Sequence, residues 1–188
     1  SFLIPRNLRR HFYAIYAYCR WSDDLADEVG SKEESLRYLR WWSEELDRCY
    51  AFSQSPMNAP QPTHPVMVAL ADTFATQQLS KLPFQNLLDA FRQDQGTTRY
   101  ETDADLLAYC ERSANPVGRI LLQLAKVDSP SSLVWSDAIC TGLQLANFCQ
   151  DMSRDAAMGR IYFPRSRWRS LGLDEETLLT TTFHPRKG

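Results

Sequence analysis

Residues 140–164 read CTGLQLANFCQDMSRDAAMGRIYFP. Within this stretch Gln144, Asn147, Asp151 and Asp155 follow one another at steps of three and four. On a helix that spacing gathers all four within about 80° of arc. Leu143, Phe148 and Met152 fall on other faces, where they can pack. A polar stripe on an otherwise apolar helix needs a partner, because buried carboxylates repel and lose hydration unless paired or metal-bound. The pattern predicts a helix here and a second polar surface opposite it.

Residues 13–28, YAIYAYCRWSDDLADE, supply that surface. Tyr16, Arg20, Asp23 and Asp27 share a helical face, with Asp24 at its edge. Two facing carboxylate stripes make an oxygen-rich site for a hard divalent ion. Mg²⁺ in such a site is typically held by a few carboxylates, by water and by substrate phosphate oxygens.

The chain has 188 residues, 44% of them hydrophobic, and a net charge of −2. That length allows one domain with a sizeable core. The charge balance gives no electrostatic case for nucleic acid. No apolar run approaches the ~18–20 residues of a membrane span. Cys19, Cys49, Cys110, Cys140 and Cys149 are scattered without zinc-ligand spacing, and are expected as small core residues in a reducing cytoplasm. Seven glycines and no run of strand-like alternation predict an all-helical fold.

Taken in order, Pro5 suits a first helical turn. Leu8, Phe12, Ile15, Cys19 and Leu25 are spaced for burial in a helix over 5–28, which Gly30 ends. Ser31 and Glu34 have capping-box spacing for a helix to about residue 52. Residues 53–62, SQSPMNAPQP, read as a loop. Pro65 and Pro83 open the next two helices, the second ending near Asp94. Thr102 and Asp105 start another, carrying Leu106, Leu107, Tyr109 and Cys110. Asn115-Pro116 interrupts it, since proline removes a donor and clashes with the preceding turn. Gly118 then admits close approach of another backbone or a ligand. Ser129-Pro130 starts the helix bearing the second stripe, and Asp174 caps a brief last one.

Paired acidic stripes with adjacent Arg and Tyr suit diphosphate chemistry. A metal neutralises charge on the leaving group and so promotes ionisation of an allylic carbon–oxygen bond. Arg20 and Arg160 offer planar forks for phosphate oxygens. Apolar helix faces can wall a dry cavity for a hydrocarbon tail. A lone acidic helix face is usually just solvated, and Arg20 alone can pair with Glu28. Two such stripes make coincidence much less probable, because clustered titratable groups mark active sites. Tyr13, Tyr18, Trp21, Trp41 and Trp42 read as core, surface or groove wall. His11, His64 and His184 have no partner pattern. Arg6, Arg9 and Arg10 form either a solvated end or a contact for an anionic membrane surface.

These motifs resemble the squalene and phytoene synthase family. The resemblance runs through YAIYAYCRWSDDLADE, YCERSANPVG at 109–118 and GLQLANFCQDMSRDAAMGRIYFP at 142–164, in that order. It implies the all-helical isoprenoid synthase bundle around a central cavity, Mg²⁺, and prenyl diphosphate substrates joined head to head. By this resemblance Asp23 and Asp27 are metal ligands of a first motif, and Asn147, Asp151 and Asp155 of a second. Tyr16, Arg20 and Gln144 match diphosphate- or substrate-contacting positions, and Arg160 and Tyr162 lie in the family's GR-x-Y segment. Family members begin earlier than Ser1 and continue past that segment. Residues 1–188 are therefore expected to be a single domain of this type, incomplete at both ends.

Two departures matter. The family commonly has Arg immediately before the first Asp of the second motif, and here it is Gln150. Where a Tyr often stands in the helix-kink motif, this chain has Glu111. Both changes, with SANPVG and NFCQD, resemble the hydroxysqualene synthase subgroup of the bacterial hopanoid pathway. That resemblance implies ionisation of presqualene diphosphate and capture of the rearranged cation by water. Glu111 can orient that water better than a tyrosine, being the stronger base. Condensation of two prenyl diphosphates, such as farnesyl diphosphate, is the first rival reading. A non-catalytic assembly protein of the same fold is the second, which the intact acid stripes oppose.

Overall fold

The computed structural model describes residues 4–127 and 129–180; His184 lies outside them. A 3₁₀ turn, Arg6–Leu8, leads into α1 (Arg9–Asp27), α2 (Lys32–Gln54), α3 (Pro65–Gln77) and α4 (Leu82–Asp94). Then come α5 (Asp103–Ser113), α6 (Asn115–Ala125) and α7 (Pro130–Gln150). Three short helices follow: α8 (Met152–Ala157), α9 (Arg165–Ser170) and α10 (Glu175–Thr180). Among the described residues no strand forms, and one isolated bridge joins Arg99 to Ile161. The fold is all-α. None of the described helices is long and apolar enough to cross a membrane.

Local chemistry sets most helix starts. Ser31 accepts from the Glu34 amide, though the reciprocal half of a capping box is not made. Thr102 and Asp105 complete the reciprocal box at α5. Proline in the first turn begins α3, α4, α6 and α7. Two helix ends follow no glycine signal: Gln78 and Lys126 themselves take left-handed conformations, with φ of 54° and 58°.

The main core lies among α1, α2, α3 and α4, with α6 against it. Tyr18, Leu39, Trp42, Leu46, Phe74, Phe84 and Leu88 are fully buried there. Tyr18 stacks on Trp42 and meets Phe84 edge-on. The Tyr18, Ser22 and Trp42 polar atoms in this core are satisfied, as burial requires. The Tyr18 hydroxyl donates to Phe84 O at 3.0 Å, Ser22 Oγ donates to Tyr18 O, and Trp42 Nε1 donates to Ser22 Oγ. His11, which had no sequence partner, bonds Thr73 Oγ1 at 3.1 Å and so ties α1 to α3. His64 packs against Trp21, Trp41 and Trp42. At the C-terminal end of α1, Ala26 O accepts from Ser35 Oγ and Gln95 Nε2, which fixes the acid-bearing turn.

The second half is more open. Gly118 seats α6 on α7, because an added Cβ would lie 2.3 Å from Ser136 Oγ and 2.6 Å from Cys140 Sγ. Three expectations need correcting. Leu143 does not pack: it is 62% exposed, because no element of the described chain covers that side of α7. Cys149, expected as a core residue, is exposed. The second stripe does not ride one continuous helix. α7 ends at Gln150, and Asp151, at φ −93° and ψ 5°, separates it from α8.

Candidate active site

The break at Asp151 is shallow. Asp151 N still bonds Asn147 O at 2.8 Å, and Asp155 N bonds Asp151 O at 2.8 Å, so the four-residue phase survives across it. The chain then turns at Gly159, whose φ of +73° favours glycine, and the Arg160 amide closes back on Asp155 O at 2.8 Å. This turn carries the Arg160 side chain across to the first stripe. Its Nη2 stands 3.2 Å from Asp27 Oδ1. Arg160 thus links two acid-bearing segments 133 residues apart.

On α1, Arg20 faces its own acids. Its guanidinium reaches Asp23 Oδ2 at 3.1 Å, Asp24 Oδ1 at 2.7 Å and Glu28 Oε1 at 2.9 Å. Burial, then the neighbouring Asp27, pushes the Asp23 carboxyl above its ordinary range. Burial, then Asp151, does the same to Asp155, while Arg160 and Arg154 work against it. Asp155 also senses Asp27. The structure therefore brings Asp23, Asp27, Asp155 and Arg160 into one electrostatic neighbourhood. Tyr16, Asn147 and Asp151 are exposed, and Gln144 is half-buried.

Sequence reasoning missed a member of this neighbourhood. Asp94, at the end of α4, accepts a hydrogen bond from the Tyr109 hydroxyl at 2.6 Å, and its other oxygen is buried without a partner. Burial pushes its carboxyl up to about 7, with Asp27 and Asp155 adding to the shift and Tyr109 and Arg160 opposing it. Tyr162 stacks on Phe148 at 4.1 Å and packs beside Tyr109 and Tyr100. Its hydroxyl is raised by burial and then by Asp94. Arg160 stays charged despite its burial, because Tyr162, Asp27 and Asp94 favour the cation.

Beside this polar centre lies an apolar pocket of about 220 Å³. Asp155, Arg160 and Tyr162 stand on its wall with Phe148, Met152, Trp168 and Leu171. Glu111 opens onto a different cavity of about 510 Å³ at the α5–α6 kink, with Asn115, Arg119, Asp137, Thr141 and Leu145.

The donor set fits a hard divalent ion. The carboxylates gathered here offer only oxygen donors, and Asp23 and Asp155 are raised first by burial and then by neighbouring acids, a cost that a bound cation would relieve. Among the described residues no three His, Cys, Asp or Glu side chains are placed to hold a metal by themselves.

Residues 1–187 match the sequence profile of squalene/phytoene synthases. The chain belongs to the squalene/phytoene synthase family. Within that family it is 35% identical to a hydroxysqualene synthase of Zymomonas mobilis over 92% of this chain and 55% of that protein. It is 29% identical to a 15-cis-phytoene synthase of Synechococcus elongatus over 99% of this chain and 62% of that one. The crystal structure of squalene synthase HpnC from Alicyclobacillus acidocaldarius superposes with a TM-score of 0.85 at 40% identity, over 95% of this chain and 64% of the other. The helical architecture is thus the family's isoprenoid synthase fold. The chain spans about 55–64% of the length of these relatives.

Proposed function

We propose that the protein ionises presqualene diphosphate and captures the rearranged cation with water, releasing hydroxysqualene and diphosphate. The observation that carries this reading is Glu111, a carboxylate on the wall of the cavity at the α5–α6 kink. Similarity to a hydroxysqualene synthase supports it.

The roles assigned here draw on the charge of each side chain and on the family resemblance. Asp23, Asp27, Asn147, Asp151 and Asp155 would hold Mg²⁺, which when bound neutralises negative charge on the departing diphosphate. Arg20 and Arg160 exchange their carboxylate partners for phosphate oxygens, which their forks fit equally well. Tyr16, Gln144 and Tyr162 hydrogen-bond the head group. The apolar pocket beside Asp155 and Arg160 shelters hydrocarbon from water. The substrate's carbon–oxygen bond breaks and its electron pair leaves with diphosphate. Water then bonds to carbon and passes its proton to Glu111. No reductant is consumed.

The test is the product profile of the full-length protein with presqualene diphosphate and Mg²⁺. The expected product is the alcohol, and Glu111→Tyr should lower its share while leaving diphosphate affinity nearly unchanged. An unaltered alcohol yield and rate in Glu111→Tyr would remove Glu111 from the mechanism. A second reading, condensation of two prenyl diphosphates, draws on the similarity to a phytoene synthase. Turnover of farnesyl diphosphate in place of presqualene diphosphate would favour it.

A further inference from the structure

The Glu111 cavity contains an ion pair that the chemistry above leaves unused. Arg119 on α6 grips Asp137 on α7 in a two-pronged contact, Nε to Oδ1 at 2.9 Å and Nη2 to Oδ2 at 2.5 Å. Both side chains are only partly buried, 39% and 23% exposed, and both line the cavity. The pair belongs to a rigid seam. Asn115 Oδ1 accepts from Thr141 Oγ1 at 3.0 Å, and Gly118 lies flush against Ser136 and Cys140. The seam already holds α6 on α7 one turn before Arg119. An added surface ion pair contributes little further stability.

What the pair does fix is the direction of a guanidinium. Two of the Arg119 nitrogens are committed to Asp137, and among the described residues Nη1 makes no hydrogen bond. Glu111 lies two turns earlier, across the kink, on the same cavity. Its charge adds to that of Asp137 in holding Arg119 ionised. A water on this wall meets a donor and an acceptor of opposite charge. We propose that Arg119, aimed by Asp137, is a water-positioning residue that acts with Glu111 to deliver the water that captures the cation.

The arrangement suits the step. Arg119 Nη1 donates to one lone pair of the water oxygen and orients it. The other lone pair forms the new carbon–oxygen bond. The proton released from the resulting oxonium goes to the Glu111 carboxylate and then to solvent. Asp137 stays ionised throughout as the partner of Arg119. The inference rests on the water-capture reading and specifies how that reaction outruns proton loss to an alkene.

The test measures the alcohol's share of all products from presqualene diphosphate, with Mg²⁺, in the full-length protein. Arg119→Gln should lower that share by about tenfold, the scale of losing one orienting contact on a reactant. Arg119→Lys should recover part of it, because one ammonium can reach the water but cannot hold the two-pronged grip. The deciding variant is the charge swap Arg119→Asp with Asp137→Arg, which keeps an α6–α7 ion pair but moves the cation. A positioning role predicts that Arg119→Gln and the swap both lose alcohol share while the melting temperature stays near that of the unaltered protein. Recovery of the alcohol share in the swap would show a simple structural staple and overturn the proposal, as would an unchanged share in Arg119→Gln. If the unaltered protein makes no alcohol, the water-capture reading itself falls. Alcohol from the unaltered protein at a share insensitive to Arg119 removes only the role given to Arg119.

Discussion

Helix α1 buries Ala14, Ile15, Tyr18, Ser22 and Ala26 in the main core, whereas α7, slightly longer, buries only Phe148. On α7, Trp135, Ile139 and Leu143 stand more than half exposed. Both helices lead into an acid stripe, but the stripes are held by different means. The first is an outward face of a helix locked by three neighbours and by bonds to Ala26 O. The second crosses a helix break and is fastened late, through Arg160 and its contact with Asp27. A site of this kind has one fixed wall and one wall seated by a few specific contacts. Substitutions on the two walls should therefore trade rate against stability differently.

The largest contrast is expected from neutralising one acid on each side. Asp151→Asn should cut turnover by about 10²–10³-fold, the usual cost of losing one group that stabilises developing charge. Its melting temperature in metal-free buffer should hold or rise, since one of two repelling carboxylates is gone. Asp27→Asn should cost similar turnover but also lower the melting temperature, because it cuts the contact to Arg160. Equal stability losses in both variants, measured by thermal melts with chelator, would erase the contrast between the walls.

A smaller effect lies between the walls, at Asp94. Its proton is bound more tightly in the fold, near pH 7, than in the unfolded chain, near 3.9. The folded state then carries the extra proton between these values. The contribution of Asp94 to stability is fullest below about pH 4, falls as pH rises through about 7, and is level above. Asp94→Asn keeps an acceptor for the Tyr109 hydroxyl and removes the ionisation. It should stabilise the protein by about 2–4 kcal/mol at pH 8 and flatten the decline. Urea titrations at pH 5 and pH 8 with chelator measure this, and an undiminished decline in Asp94→Asn would assign the pH dependence to other groups.

Next in size is the seam that seats the second wall. Gly118→Ala should destabilise by about 1–3 kcal/mol, the cost of forcing a methyl into a packed contact. Gly142→Ala on the same helix pair has open space around its Cβ and should be neutral or gain up to about 1 kcal/mol from helix propensity. Equal behaviour of the two in denaturant titrations would mean that α6 and α7 separate easily.

The fixed wall was the more legible in sequence. Helical period, Ser31, the prolines and the Thr102–Asp105 box marked the elements, and the three-four spacing marked both stripes. What was hidden depends on contacts between distant residues. Asp94 looked like an ordinary acid closing a helix; only folding places it beside Tyr109 and within the field of Arg160. The ends of α3 and α6 were invisible because Gln78 and Lys126 adopt a conformation usually left to glycine. The exposure of Leu143 was illegible because period reports that a face is apolar, not whether anything covers it.

The smallest expected effect tests whether the diphosphate end and the kink act independently. Gln150 is the last residue of α7, exposed, and about 100° around the helix from Asp151. An arginine there adds a cation near the second stripe without entering the core. In open water such a charge contributes on the order of 0.2–1 kcal/mol to an ionic contact. Gln150→Arg should therefore tighten inorganic diphosphate binding in the presence of Mg²⁺ by about two- to fivefold. The gain should shrink as salt shortens the screening length to about 8 Å at physiological ionic strength. The melting temperature should not move. The alcohol's share of products should not move either if water capture occurs at Glu111 as proposed, because Glu111 lines a different cavity. Calorimetric titration at two salt concentrations reads the first effect, and product analysis the second. A changed alcohol share in Gln150→Arg would mean that the two ends of the site are coupled through α7, the more loosely held of the two helices that lead into the acid stripes.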